Sequence, residues 1–252
     1  MSNNYIKLIN NLEALKLYEF RKHLDQYITY VNEKEKTVID CLYELTSYEI
    51  EYKQKRTIDT SIRFAGFPFY KTMEDFDFTF QPSVNKERIL DLATLRFIEN
   101  KENLLFVGTP GVGKTHLAVS IGIEAAKNKK TVHFINCNDL ILQLKRAHLD
   151  NRLDTKIKAL CKFKLLIIDE VGFLPLDAEA SHLLFQLVSK RYEKSSTIIT
   201  TNKALSTWGE VFGDNVLANA ILDRLVHHSH VITINGRSYR TKDKIDTIAD
   251  KN

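Results

Sequence analysis

Residues 108–115 read GTPGVGKT, a full match to the pattern GxxxxGK[ST]. The apolar run LLFV precedes it and HLAVSIGIEAA follows, so a strand enters the loop and a helix leaves it. Gly108, Gly111 and Gly113 let the backbone curl until its N–H groups converge on a phosphate. The helix start adds partial positive charge. In that setting Lys114 reaches the β- and γ-phosphates, and Thr115 offers its hydroxyl to Mg²⁺. Thr109, Pro110, Val112 and His116 complete the stretch expected to touch the nucleotide.

A phosphate loop of this kind needs an acidic residue at the end of a second buried strand. LLIIDE supplies it, with four aliphatic residues before Asp169 and Glu170. Asp169 is expected to hold Mg²⁺, through water or Thr115. A second carboxylate beside it can orient and deprotonate a water aimed at the γ-phosphate, which points to hydrolysis rather than transfer to a metabolite. Recognition of guanine uses an [NT]KxD element; here Asn202, Lys203 and Ala204 are followed by Leu205, which cannot accept those hydrogen bonds. ATP is therefore the expected nucleotide.

Two further residues carry two readings each. If the strand STIITTN lies between those bearing the loop and Asp169, Asn202 faces the γ-phosphate; otherwise it starts a turn or caps a helix. Arg224 in AILDRL either stabilises transition-state charge across a subunit interface or pairs with a surface carboxylate such as its neighbour Asp223. His227, His228 and His230 read as packing at a helix-to-strand junction, since no acidic or cysteine partner lies nearby in sequence; a metal site is the alternative. Trp208 reads as a packing anchor.

The rest of the 252 residues sorts by periodicity. Residues 1–62 carry Leu, Ile and Tyr at helical spacing with no Gly or Pro, which predicts a small all-helical domain. Residues 63–85 form a connector too aromatic to be a free linker. Over 86–241, apolar runs at 104–108, 131–135, 164–169, 196–202 and 230–234 alternate with helical stretches, predicting a parallel sheet covered on both faces. Residues 242–252 read as a flexible tail. No stretch approaches the ~20 apolar residues that cross a bilayer. Three cysteines without CxxC spacing suggest neither disulfides nor zinc, so a cytoplasmic location is expected. The net charge of +4 permits a polyanionic partner without requiring one. Small basic clusters, including Arg237, Arg240, Lys242 and Lys244, read as solvated surface when taken alone.

With these blocks in place, the chain resembles the IstB-like ATP-binding proteins, AAA+ helper ATPases encoded beside a transposase in one bacterial insertion-sequence family. The likeness runs through EDFDFTFQP, GTPGVGKTHLA, LLIIDEVGFLPLD, LLFQLVSKRYE, STIITTN, WGEVFGD and AILDRLVHHSHVITINGRSYR. A weaker similarity extends to bacterial helicase loaders. The resemblance implies an AAA+ P-loop core with little or no C-terminal lid. It implies Asn202 as the residue sensing the γ-phosphate, Arg224 as an arginine finger and Arg240 as a further nucleotide contact. It also implies a homo-oligomer assembled with ATP on double-stranded DNA, and DNA deformed and presented to a partner transposase.

Overall fold

The structure is a computed structural model that describes residues 3–241. The segment expected to form a tail, 242–252, lies outside the described residues. The chain forms two compact units that meet in sequence at Thr60 and Ser61.

In the first unit, α1 (Asn3–Ala14), α2 (Tyr18–Asn32) and the beginning of α3 (Val38–Ala65) bury Leu12, Phe20, Leu24, Tyr27, Cys41 and Leu45. Leu17 at the start of α2 has no side chain able to cap it. The carboxylate of Glu49 does so instead, accepting the backbone N–H groups of Glu19 at 2.8 Å and Phe20 at 3.1 Å.

The second unit runs α4 (Lys86–Ala93), α5 (Arg96–Glu99), β1 (Asn103–Gly108), α6 (Lys114–Lys127), β2 (Val132–Asn136), α7 (Cys137–Leu149), α8 (Leu153–Cys161), β3 (Leu165–Val171), α9 (Ala178–Arg191), β4 (Ser196–Thr201), α10 (Trp208–Phe212), α11 (Asn215–Val226) and β5 (Ser229–Ile234). All described strand pairs are parallel, and the order is β2-β3-β4-β1-β5. The alternation of a pleated strand divides each apolar run between two cores. Leu104, Phe106, Leu165, Ile167 and Ile198 face one core, with Leu117 and Ile121 of α6. Leu105, Leu166, Ile168 and Ile199 face the other, with Leu187 of α9, Trp208 and Ile221. Trp208 is fully buried against Phe212, the anchoring role its sequence context suggested.

The aromatic segment before α4 is packed. Phe76 and Val84 are buried in the first core, and Phe67, Met73 and Phe78 lie against it. The strand order matters most for function. With β4 between β3 and β1, the carboxyl ends of three adjacent strands bring Gly108, Asp169 and Thr201 to one rim. The β3–β4 register shifts between Ile168 and Val171, and Glu170 takes a φ of +62°. That irregularity keeps Asp169 buried while Glu170 stays exposed.

At the opposite rim, buried Arg191 ties α8 to β4. Its guanidinium donates to the carbonyls of Leu160 (2.8 Å), Phe163 (3.0 Å) and Ser196 (2.5 Å), and its Nε to Thr197 Oγ1 (3.1 Å). Removing it takes a charged donor from each of those acceptors inside the protein. Arg191→Leu is expected to destabilise the chain by about 3 kcal/mol or more, measured by chemical denaturation.

Candidate nucleotide site

The loop between β1 and α6 has the shape its glycines allow. Gly111 and Gly113 have φ of +81° and +99°. A Cβ at Gly111 would lie 2.1 Å from Ser238 Oγ, and one at Gly113 would lie 2.5 Å from Phe76 Cε2. The loop is thus gripped from both sides, by the segment after β5 and by the aromatic connector. Tyr239 N–H donates to Gly111 O at 2.9 Å, and Gln81 Nε2 donates to Arg237 O at 2.7 Å.

Beside the loop lies a cavity of about 910 Å³. Pro110, Gly111, Val112, Gly113, Lys114, Thr115, His116, Asp169, Glu170, Asn202 and Arg240, all proposed from sequence, line it together. Gly108 and Thr109 contribute from behind, since their carbonyls each accept a 2.8 Å hydrogen bond from Lys114 Nζ. His116 turns toward the connector. Its Nε2 lies 2.9 Å from Thr72 O and its ring packs edge-on to Phe76. Arg224 is not among the lining residues. Its Nη1 donates to Ala220 O at 2.8 Å, and its guanidinium sits 4.8 Å over the Phe185 ring instead of pairing with Asp223.

Asp169 organises the hydrogen bonds at the carboxyl ends of β3 and β4. Thr115 Oγ1 at the start of α6 donates to it at 2.9 Å, and Thr200 Oγ1 near the end of β4 donates at 2.6 Å. Thr200 also accepts the N–H of Glu170 at 2.9 Å, so one hydroxyl fixes both acidic residues. Asn136, at the end of β2, donates its Nδ2 to Glu170 Oε2 at 2.8 Å. Sequence reasoning passed over both residues. Thr200 hid in a β-branched run that reads as strand filler. Asn136 had a signal, a polar residue ending a strand that pairs with β3, but revealing it required the strand order.

Charge balance points the same way. Burial pushes the Lys114 ammonium below its ordinary pKa, opposed by Asp169 and, more weakly, Glu170, while Arg240 adds to the lowering. Burial raises the Asp169 carboxyl, partly offset by the Thr200 and Thr115 hydroxyls. Asn202 Oδ1 is buried with no hydrogen-bond partner among the described residues. A triphosphate with Mg²⁺ fits these residues. Curled amides and Lys114 suit the anion, the Thr115 hydroxyl and Asp169 carboxylate form an oxygen donor set, and the unpaired Asn202 atom is left for a ligand or its water.

Two outcomes test this geometry. Thr200→Val should weaken Mg²⁺ affinity by about 10- to 100-fold while sparing magnesium-free nucleotide binding, read by titrating Mg²⁺ against a fluorescent ATP analogue. The same signal should depend on pH. A raised pKa means Asp169 takes up its proton at a higher pH than an exposed aspartate, and metal binding needs the carboxylate. Magnesium-dependent affinity should therefore fall on acidification before ordinary aspartates titrate, and magnesium-free binding should lack that limb. Lys114, with a lowered pKa, should lose its charge as pH rises, earlier than a free lysine.

Comparison with known proteins places the chain in a family. The model of the IstB-like ATP binding protein family matches residues 10–247. A Bacillus thuringiensis subsp. berliner protein named as an ATP-binding protein of insertion sequence IS232 is 50% identical over 243 residues, spanning 96% of this chain and 97% of the relative. The corresponding IS21 protein of Pseudomonas aeruginosa is 41% identical over 233 residues, 92% of this chain and 88% of that one. Among solved structures, the DnaC helicase loader superposes with a TM-score of 0.50 at 26% identity, covering 68% of this chain and 96% of that chain. AMPPCP-bound DnaA from Aquifex aeolicus gives 0.54 at 19% identity, over 73% of this chain and 56% of that chain. The fold is that of the AAA+ P-loop NTPases. The chain belongs to the IstB-like ATP-binding proteins, a family of insertion-sequence ATP-binding proteins.

Proposed function

We propose that the protein is the ATP-hydrolysing helper of an insertion sequence. In this reading it binds ATP with Mg²⁺ and assembles with copies of itself on double-stranded DNA without sequence preference. It deforms that DNA and presents it to the partner transposase, and hydrolysis resets the complex. The observation that carries the hydrolase part is Glu170, exposed at the cavity and fixed through its backbone by Thr200 and through its carboxylate by Asn136.

The residues divide the work. Lys114 leaves the carbonyls of Gly108 and Thr109 to meet the β- and γ-phosphates, a move that exchanges neutral acceptors for charged ones. Thr115 and Asp169 would hold Mg²⁺, which would supply charge neutralisation on the phosphate oxygens. Glu170 takes the proton of a water that adds to the γ-phosphorus as the bond to the bridging oxygen breaks, giving ADP and phosphate. Asn202 orients that water through its unpaired Oδ1, and Arg240 contacts the phosphates. Arg224 acts on a neighbouring subunit's nucleotide, a role supported by its position outside this chain's own cavity. The net charge of +4 suits backbone-directed, salt-sensitive DNA binding. The described helices offer no membrane-spanning candidate.

The likeness to the DnaC helicase loader supports a second reading, in which single-stranded DNA and a replicative helicase are the partners. Sedimentation with ATP at low salt separates the two. The proposed helper forms large assemblies on duplex DNA of any sequence, and those assemblies dissolve as salt is raised. A chain that stays monomeric on duplex but gathers on single strands is a loader. Glu170→Gln should keep ATP binding, abolish steady-state phosphate release and trap the assemblies, whereas Lys114→Ala should lose nucleotide affinity itself. Wild-type turnover in both variants contradicts the site.

A further inference from the structure

The histidine pair that the sequence left without an acidic partner acquires one in the fold. His227 caps α11, and His228 follows it just before β5. The turn from α9 into β4 presents Glu193, at φ +55°, to the same place. One ring nitrogen from each histidine and one carboxylate oxygen of Glu193 lie within 4.8 Å of one another. The imidazole centroids are 4.0 Å apart, His228 Nε2 is 3.5 Å from Glu193 Oε1, and the Tyr192 hydroxyl lies 2.8 Å from His227 Nδ1. Both junctions precede strands, so this cluster sits at the rim opposite the phosphate loop, separated from it by roughly the 20 Å length of a six-residue strand.

We infer that His227, His228 and Glu193 form a binding site for one transition-metal ion of the zinc class. Two imidazoles and a carboxylate are a nitrogen-rich set suited to Zn²⁺, Ni²⁺ or Cu²⁺ and ill suited to Mg²⁺ or Ca²⁺, which take oxygen ligands. Zinc bonds of about 2.0–2.1 Å in a tetrahedron put ligand atoms roughly 3.4 Å apart, so the His228–Glu193 pair at 3.5 Å already has that spacing and no pair in the trio needs to close by more than about 1.4 Å. The side chains of His228 and Glu193 are 52% and 55% exposed and have the room to make that movement. Three protein ligands leave a fourth position for water. A bound ion joins the end of α9 to the end of α11, whose last turn carries Arg224 over Phe185 of α9. Its consequence is to fasten together the two helices that position that arginine.

The test uses the untagged full-length chain, with Zn²⁺ alone as the probe, competed against a chromogenic chelator. The expected result is one high-affinity Zn²⁺ per chain, with affinity lowered at least about tenfold in both His228→Ala and Glu193→Gln. Circular dichroism verifies that these surface variants fold. Thr115→Ala, altered at the magnesium site, should bind Zn²⁺ as the wild type does. Absence of stoichiometric zinc binding, or folded His228 and Glu193 variants that bind like wild type, overturns the assignment.

Discussion

Everything at the nucleotide site depends on one buried carboxylate held between two threonine hydroxyls. Asp169 receives Thr115 from α6 and Thr200 from β4, and through them the phosphate loop, the acidic strand end and the central strand share a common atom. Burial raises the free energy of the charged form, and the two hydroxyls recover only part of it. A divalent cation coordinating that carboxylate would supply what the protein leaves out. The lysine rests on its own loop carbonyls, and Asn202 Oδ1 has no hydrogen-bond partner among the described residues.

The rest of the unit serves to keep that arrangement in register. A parallel sheet with both faces covered gives rigid strand ends, and the order β3-β4-β1 makes the three functional ends neighbours. The irregularity at Ile168–Val171 then separates the roles of two consecutive acids, sending Asp169 inward and Glu170 out toward Asn136. The connector and the segment after β5 close the loop from opposite sides at Gly113 and Gly111, where no side chain larger than hydrogen fits.

Much of this was legible before any coordinates. GTPGVGKT and LLIIDE are local patterns whose chemistry demands particular residue types at fixed spacing, and five apolar runs between helical stretches specify a covered parallel sheet. Relations that arise only when distant segments meet were illegible. Thr200 looked like any β-branched strand residue until β4 was seen beside β3. Asn136 gained meaning from pairing with Asp169 across β2 and β3. His227 and His228 seemed to lack an acid because Glu193 reaches them through tertiary folding, not sequence. Arg224 has Asp223 beside it in sequence, yet it lies over Phe185, a contact that no spacing rule anticipates.

The most direct measurement is a crystal structure of the protein with Mg²⁺ and a non-hydrolysable ATP analogue. The account predicts Lys114 Nζ moved from the Gly108 and Thr109 carbonyls onto the β- and γ-phosphates, with the ion about 2.0–2.1 Å from Thr115 Oγ1. A nucleotide bound elsewhere, or a saturated crystal in which the lysine remains on its own loop, would contradict it.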